Sequence, residues 1–297
     1  MKLTNTEHKK YKIGIYEKAI NKKFNWDKKF KIAKKAGFDF IEISIDETDQ
    51  RIGRLFWLDA EIYKLRDLAT NNGMYINSMC LSANRRFPLG SKNSDIRNKG
   101  MTIIGKALSF AKKAGIRIVQ LAGYDEYYNP GDEITKRYFI ENMKIVCELA
   151  QYYSVQIAFE SMDTEFMGNL TKMLNIVNVL DSPMLGVYPD IGNLTQFAKD
   201  NFGSEIELAK NKIVAFHFKD TKPTVFKCVP FGEGTVDFVK AFKAIFNINY
   251  HGPYMIEMWN ENKEYQAISE NIEEIKNARL FFEEKYQEAL LNEYKRD

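Results

Sequence analysis

The chain has 297 residues, of which 45% are hydrophobic and 13% aromatic, and this composition is that of a folded globular protein. Its 43 basic and 40 acidic residues leave a net charge of +3, which argues against a dedicated nucleic-acid surface. No apolar run approaches the roughly 20 residues that span a bilayer, and the first residues lack the apolar core of a signal peptide. The three cysteines are far apart, so we expect a reducing, cytoplasmic location without disulfides.

Strand-like and helix-like segments alternate along the whole sequence. In residues 33–43 and 111–121 a glycine follows the helix end directly, where it supplies the left-handed conformation that turns the chain into a strand. Strands are predicted near residues 12–16, 39–45, 74–81, 116–121, 155–160, 184–188, 213–218 and 253–258. Helices are predicted near residues 26–36, 59–71, 95–114, 133–153, 169–180, 203–210, 235–246 and 264–290.

Eight such strand–helix units predict a (β/α)8 TIM barrel with a carboxyl-terminal helical extension, because alternating strands and helices imply parallel pairing. We expect one domain over residues 1–297, with the barrel at about 11–262 and the last helix at about 264–290. The segments 84–98, 123–132 and 220–234 are predicted as loops at the carboxyl-terminal face of the barrel. A doubly wound open sheet is the alternative, but residues 13–17 lack its Gly-rich phosphate turn.

Four polar residues end consecutive predicted strands, and these are Glu160, Asp190, His217 and Glu257. Each alone has an ordinary interpretation, as an ion-paired side chain, a turn cap or a core histidine. Adjacent strands of a barrel converge at one mouth, where three carboxylates would repel each other strongly without a cation. The four together therefore predict a site for one divalent metal ion, and Mn²⁺, Mg²⁺, Co²⁺ and Zn²⁺ all suit oxygen-rich ligation with one nitrogen.

Several motifs resemble those of one family. They are FDFIE (38–42), DETD (46–49), RIGRL (51–55), MCLSANRRFPLGS (79–91), FESMD (159–163), HFKDT (217–221), FGEG (231–234) and IEMW (256–259). Together they resemble the sugar-phosphate 3-epimerases of L-ascorbate and L-xylulose catabolism, in particular L-ribulose-5-phosphate (L-xylulose-5-phosphate) 3-epimerases, over nearly the whole chain after about residue 11. One departure is Asn84, where the resemblance leads us to expect histidine.

The resemblance implies a metal-dependent carbohydrate epimerase that inverts C3 of a phosphorylated ketopentose, interconverting L-ribulose 5-phosphate and L-xylulose 5-phosphate through a C2–C3 enediolate. Glu160 and Glu257 are then the candidates for the two acid–base groups and also metal ligands, whereas Asp190 and His217 are ligands only. Which glutamate serves which epimer stays open. A small phosphorylated ketose is the implied ligand, and a homodimer is the implied assembly.

Substrate contacts are expected from the loops around the barrel mouth. Arg85 and Arg86, followed by Arg54 and Lys222, are candidates for binding phosphate, with ordinary surface charge as an equal alternative. The candidates for contacting the sugar are Asn84, which can donate a hydrogen bond, and the aromatic residues Trp57, Tyr124 and Trp259, for which plain packing is the alternative.

Three other functions remain as alternatives. The first is another ketose or hexulose-phosphate isomerase or epimerase of the same superfamily, including one for an unphosphorylated sugar. The second is a DNA-repair endonuclease, whose three zinc ions require several histidines, while this chain has only His8, His217 and His251. The third is a non-catalytic sugar-binding barrel. Neither nucleic acid nor a membrane is expected as a partner.

Overall fold

The structure is a computed structural model that describes residues 11–198, 201–264 and 267–293. Its barrel strands are β1 (Ile13–Tyr16), β2 (Phe40–Ile45), β3 (Tyr75–Leu81), β4 (Ile118–Ala122), β5 (Gln156–Glu160), β6 (Leu185–Tyr188), β7 (Phe216–Phe218) and β10 (Tyr254–Ile256). Between β7 and β10 the chain inserts an antiparallel hairpin of β8 (Asp220–Lys222) and β9 (Val225–Val229).

The helices of the described part lie outside the strands. They are α1 (Trp26–Lys35), α2 (Asp49–Gly53), α3 (Asp59–Asn71), α4 (Ser94–Ala114), α5 (Glu133–Tyr153), α6 (Leu170–Leu180), α7 (Ile191–Ala198), α8 (Phe202–Ala209), α9 (Phe238–Asn247) and α10 (Ile268–Glu293). In these ranges no helix combines the length and the apolar character that crossing a membrane requires.

The eight parallel strands follow the order β6–β5–β4–β3–β2–β1–β10–β7, and the two ends of this sheet meet. At the seam, Val214 N donates to Val187 O at 3.0 Å and His217 N donates to Pro189 O at 2.9 Å. A further parallel bridge joins Asp190 to His217. The prediction of a TIM barrel is confirmed, and the closed seam rules out the open-sheet alternative.

Helix ends follow the local sequence. The side chain of Asn93 accepts hydrogen bonds from the backbone N–H groups of Asp95 and Ile96 and so begins α4. Gly115 ends the same helix with φ = 75°, a left-handed conformation that glycine adopts without a steric penalty. The chain then enters β4 at Ile118, as the glycine pattern predicted.

The carboxyl-terminal helix packs on the barrel through aromatic side chains. The Phe282 ring of α10 lies 4.9 Å from the Phe242 ring of α9, 5.0 Å from the Phe218 ring of β7 and 5.5 Å from the Tyr254 ring of β10. These residues are all buried, and burial of aromatic rings of this size is a large favourable contribution to folding. The helix is therefore an integral part of the packed structure.

Two helices and a hairpin of the described part were not predicted. Helix α2 has five residues, too few to show a helical period. Helix α7 begins directly after Asp190, whose Oδ1 accepts a hydrogen bond from Asn193 N at 2.7 Å and so caps the helix. The hairpin of β8 and β9 lies within the segment predicted as a loop at 220–234. The predicted last helix begins at Ile268, and positions 265–266 of that prediction lie outside the described residues. So do positions 1–10, 199–200 and 294–297 of the predicted domain.

Candidate active site

Four side chains from neighbouring strand ends converge at the mouth of the barrel. One potential ligand atom from each of Glu160, Asp190, His217 and Glu257 lies within 4.8 Å of the others, and all four residues are buried. Glu160 is the last residue of β5, Asp190 and Glu257 follow β6 and β10, and His217 is the central residue of β7. The parallel register of the barrel brings these positions to the same level. We call these four residues the acidic cluster.

The imidazole of His217 is held between two carboxylates. Its Nδ1 lies 2.9 Å from Glu160 Oε1, and its Nε2 lies 2.9 Å from Glu42 Oε1. Glu42 belongs to β2, and its Oε2 accepts hydrogen bonds from Ser78 Oγ at 2.6 Å and Tyr188 OH at 3.3 Å. These contacts orient the ring so that Nδ1 faces the acidic cluster.

Lys219 places a second cationic side chain beside the cluster. Its Nζ lies 3.2 Å from Glu257 Oε2 and 3.3 Å from Asp190 Oδ2, and the side chain is only 6% exposed. The ammonium group also lies 5.6 Å from the centre of the Trp259 ring. Because side chains alternate along an extended chain, Lys219 follows His217 on the same face.

Burial and neighbouring charges shift the protonation of the cluster. Burial raises the pKa of Asp190 to about 7, even though the charge of Lys219 acts in the opposite direction. Burial acts to raise the pKa of Glu257 too, but the charges of Lys219 and His217 outweigh it and lower that pKa. For His217 burial acts to lower the pKa, but Glu42 and Glu160 outweigh it and raise the pKa well above its usual value.

The donor set fits a metal ion. Asp190 Oδ2 is buried and accepts no hydrogen bond from the residues that the structure describes, and it lies 3.9 Å from His217 Nδ1. Three carboxylates and one imidazole are common ligands of divalent metals, and the contact of His217 Nε2 with Glu42 leaves Nδ1 available on the cluster side. The four residues of the acidic cluster could therefore hold one metal ion.

A small pocket of about 70 Å³ opens above the cluster, and we call it the mouth pocket. Four basic side chains from separate segments line it, namely Lys18, Arg85, Lys219 and Lys227. Glu160, Glu257 and Trp259 line it as well. A larger cavity of about 410 Å³ shares Lys219, Glu257 and Trp259 with the mouth pocket and extends between the hairpin and α10. The arrangement suits a small anionic ligand next to a metal.

Arg85 and Trp259 are the predicted substrate contacts that line the mouth pocket. Two tyrosines hold the Arg85 side chain in place. Its Nε donates to Tyr124 OH at 3.3 Å. Its guanidinium carbon lies 5.6 Å from the centre of the Tyr124 ring and 5.2 Å from the centre of the Tyr127 ring. The Tyr124 hydroxyl donates in turn to Asp163 Oδ1 at 2.9 Å. Tyr124 thus positions Arg85 and does not itself line the mouth pocket.

Two predicted arginines lie outside the mouth pocket. Arg86 is at the surface, where its Nη1 donates to Asp49 Oδ1 at 2.7 Å. Arg85 and Arg86 are consecutive at the end of a 3₁₀ turn, in which successive side chains point about 120° apart, so only one of them can face inward. Arg54 is bound to Glu17, with Nη–Oε distances of 2.7 Å and 2.9 Å.

The remaining predicted contacts also lie elsewhere. Asn84 is buried and its Nδ2 donates to Phe87 O at 3.2 Å, so it supports the turn that carries Arg85. Trp57 packs against Phe110, with ring centres 6.2 Å apart. Lys222 is exposed at the end of β8. The structure therefore brings none of these three side chains to the mouth pocket.

Four residues at the site were not predicted from the sequence, namely Glu42, Lys18, Lys219 and Lys227. Glu42 interrupts the apolar run of β2 in the way that Glu160 ends the run of β5, so the same signal was present. Lys219 could have been found from its spacing of two residues from His217. Lys227 carried no usable signal, because its place depends on a hairpin that was not predicted.

Comparisons with known proteins agree with this fold. A model of the xylose isomerase-like TIM barrel family matches residues 30–282. The protein named "Probable L-ribulose-5-phosphate 3-epimerase UlaE" of Mycoplasma pneumoniae is 51% identical over 290 residues, which is 98% of this chain and 94% of that protein. The L-ribulose-5-phosphate 3-epimerase UlaE of Escherichia coli (strain SMS-3-5 / SECEC) is 45% identical over 259 residues, or 87% of this chain and 91% of that protein.

Among solved structures, that of an L-ribulose 3-epimerase superposes with a TM-score of 0.74 over 96% of this chain and 97% of that one. The two sequences are 18% identical, so this likeness establishes a shared fold. The family model and the two sequence relatives establish the family as well as the fold. The chain belongs to the xylose isomerase-like TIM barrel family and, within it, to the L-ribulose-5-phosphate 3-epimerases, which are isomerases.

Proposed function

We propose that this chain interconverts L-ribulose 5-phosphate and L-xylulose 5-phosphate by inverting the configuration at C3, with one divalent metal ion as its cofactor. The observation that carries the proposal is the convergence of Glu160, Asp190, His217 and Glu257 within 4.8 Å at the barrel mouth. Sequence relatives named for L-ribulose 5-phosphate support the choice of substrate. When bound, Mn²⁺, Zn²⁺, Mg²⁺ or Co²⁺ supplies a Lewis acid that stabilises negative charge on the substrate.

Inversion at C3 requires one group that removes the proton and a second group that returns a proton to the opposite face. C3 is adjacent to the C2 carbonyl, so loss of its proton gives an enediolate in which the charge is delocalised. Glu160 and Glu257 approach from different strands, on either side of Asp190 and His217, and both line the mouth pocket. We assign the two proton transfers to these glutamates, and the ligand role alone to Asp190 and His217.

The phosphate group of the substrate is assigned to Arg85. In the described structure only the Nε of this guanidinium donates a hydrogen bond to protein, so its two terminal nitrogens are available for a bidentate contact. Tyr124 and Tyr127 hold the guanidinium plane, which reduces the entropy lost when phosphate binds. Trp259 forms a wall of the pocket and is assigned to contact the sugar.

The proposal also covers the oligomeric state, the cellular location and the metabolic role of the protein. We include a homodimer, because the resemblance to sugar-phosphate 3-epimerases implies one, and sedimentation velocity of the purified chain would measure it. A cytoplasmic location and a role in L-ascorbate degradation belong to the same proposal. The free thiols of Cys80, Cys147 and Cys228 are compatible with a reducing compartment.

The test is epimerisation of L-ribulose 5-phosphate in D2O, first after removal of metal with a chelator and then after a divalent metal is restored. We expect metal-dependent formation of L-xylulose 5-phosphate with deuterium at C3, because the proton returned to C3 exchanges with solvent. Deuterium at C1 instead would identify an aldose–ketose isomerase. No turnover with any of the four metals would reject the proposed reaction.

A further inference from the structure

Lys219 contacts the two carboxylates of the acidic cluster that lie farther from His217. His217 Nδ1 lies 2.9 Å from Glu160 Oε1. The same nitrogen lies 3.9 Å from Asp190 Oδ2 and 3.8 Å from Glu257 Oε2. Lys219 Nζ lies 3.3 Å from that Asp190 oxygen and 3.2 Å from that Glu257 oxygen. Of the two basic side chains, Lys219 is therefore the nearer one to Asp190 and Glu257.

The aliphatic stem of Lys219 packs closely against the start of α7. It runs past Gly192, where a Cβ atom would lie only 2.8 Å from Lys219 Cγ and 2.9 Å from Lys219 O. Thr221 Oγ1 donates to Gly192 O at 3.0 Å, which holds the segment after Lys219 against the same helix end. The whole lysine is buried. The absence of a side chain at position 192 thus gives the ammonium group a defined route to the cluster.

A metal ion in the acidic cluster would interact with the same carboxylates as Lys219. Asp190 and Glu257 belong to the four residues that could hold the ion, and Lys219 Nζ contacts one carboxylate oxygen of each. A positive charge this close reduces the attraction of these carboxylates for a divalent ion and also repels the ion itself. In buried surroundings salt screens such repulsion only weakly. Lys219 should therefore oppose metal binding.

The same contacts should stabilise the folded chain whenever no metal ion is bound. Carboxylates that are buried close together repel each other and require a cation. Lys219 provides positive charge to Asp190 and Glu257 together, and its ammonium group lies 5.6 Å from the centre of the Trp259 ring, which also favours a cation there. Lys219 thus supplies part of the charge that a metal ion would otherwise provide.

We propose that Lys219 is an internal counter-cation, which lowers the affinity of the acidic cluster for its metal ion and stabilises the cluster when no ion is bound. This inference rests on the metal site of the proposed function. The position of Lys219 between Asp190 and Glu257 carries it, because a cation that contacts two candidate ligands must affect a second cation at the same place. Metal binding is then reversible without loss of the folded barrel mouth.

The test compares Lys219→Met with Lys240→Met, which removes the same charge from an exposed position on α9. Competition with a chromogenic chelator measures the dissociation constant of Mn²⁺. We expect it to be lower in Lys219→Met by about 10-fold or more, because a nearby positive charge is gone. Lys240→Met should match the wild type. Lys219→Arg keeps the charge and should stay close to the wild type, whereas the neutral Lys219→Gln should bind Mn²⁺ more tightly and replaces Lys219→Met if that variant does not fold.

Thermal unfolding gives a second measurement. In excess chelator the Tm of Lys219→Met should lie below that of the wild type by about 5 °C or more, because two buried carboxylates lose their cation. Added Mn²⁺ should raise the Tm of Lys219→Met by more than it raises the Tm of the wild type, since tighter binding gives a larger shift at the same metal concentration.

Three outcomes would overturn the counter-cation. They are an equal or weaker affinity for Mn²⁺ in the neutral variants, an affinity of Lys219→Arg as high as that of Lys219→Met, and a wild type that binds no divalent metal. None of these measurements depends on turnover. A wild type that binds Mn²⁺ but does not epimerise L-ribulose 5-phosphate would reject the proposed reaction, while the metal affinities of the variants would still decide the role of Lys219.

Discussion

His217 Nε2 lies 2.9 Å from Glu42 Oε1, and both side chains are completely buried. Glu42 therefore binds Nε2, the imidazole nitrogen that faces away from Glu160. The other nitrogen, Nδ1, is directed at the acidic cluster. A carboxylate behind a metal-binding histidine fixes the tautomer and the ring orientation and raises the basicity of the ligating nitrogen. Glu42 thus belongs to the site through His217.

Replacing Glu42 with glutamine should weaken metal binding by about 10-fold to 100-fold, because the negative charge behind His217 is lost while the shape is kept. Competition with a chromogenic chelator would measure the dissociation constant. Ser78→Ala is the matched control, since it removes only the 2.6 Å hydrogen bond to Glu42 Oε2 and should have a smaller effect. Equal metal affinity in Glu42→Gln and the wild type would contradict the role given to Glu42.

Glu160→Gln and Glu257→Gln should each lower kcat by about 10²-fold to 10⁴-fold, because each removes one of the two groups assigned to proton transfer at C3. Metal content must be restored and measured for both variants, since both residues belong to the acidic cluster. Steady-state rates with L-ribulose 5-phosphate would check the prediction. Near-normal turnover of either variant with full metal content would reject the two-glutamate scheme.

Removing the metal should lower the thermal stability of the protein. An ion that binds the folded state alone adds about 2.7 kcal/mol to the free energy of unfolding at a concentration 100 times its dissociation constant. Scanning calorimetry with chelator and with added metal would show the shift in Tm. Asp190→Asn should reduce the shift, because Asp190 Oδ2 is a buried cluster oxygen that accepts no hydrogen bond from the described residues. A Tm that is insensitive to every metal tested would argue against the metal site.

Tyr124→Phe should raise KM for the phosphorylated substrate by about 2-fold to 10-fold with little change in kcat, since one hydrogen bond to Arg85 is lost. Tyr127→Phe is the matched control, because it keeps the aromatic ring that lies 5.2 Å from the guanidinium carbon. A fall in kcat with unchanged KM would show that Tyr124 acts on the chemical step and not through Arg85.

Glu17 should link stability to pH. Its completely buried carboxylate lies 2.8 Å from Lys29 Nζ and 2.7 Å from Arg54 Nη1. Burial acts to raise the pKa of Glu17, but the charges of Lys29 and Arg54 outweigh it and hold the pKa well below its usual range. Since the folded-state pKa is depressed, this stabilisation is present above the unfolded pKa of roughly 4.3 and is lost as pH falls further.

Urea unfolding at pH 7, 5 and 4 would measure this effect. Glu17→Gln should lower the free energy of unfolding at pH 7 by about 3–5 kcal/mol, because it leaves buried cations without their partner. The variant should also lose less stability than the wild type between pH 5 and pH 4. Parallel pH profiles for the two proteins would show that Glu17 does not carry the linkage.

The barrel and the family were predictable because their signals are local or repeated. Alternating apolar segments and glycine helix ends such as Gly115 depend on neighbouring residues alone, and the resulting prediction of a TIM barrel is confirmed. The resemblance to sugar-phosphate 3-epimerases, drawn from short motifs, is confirmed by relatives at 51% and 45% identity. A carboxylate at a strand end, such as that of Glu160, indicated a functional site, because burying an unpaired carboxylate is strongly unfavourable in free energy.

The sequence by itself determined the strand–helix order and, through the parallel arrangement, the strand ends where Glu160, Asp190, His217 and Glu257 lie. Only the tertiary structure decided which arginine of the Arg85–Arg86 pair faces the mouth pocket, since this depends on the turn that carries them. It also decided that Glu42 lies behind His217 and that Lys227 reaches the pocket. These contacts join residues far apart in the chain, so no local pattern of propensity or spacing encodes them.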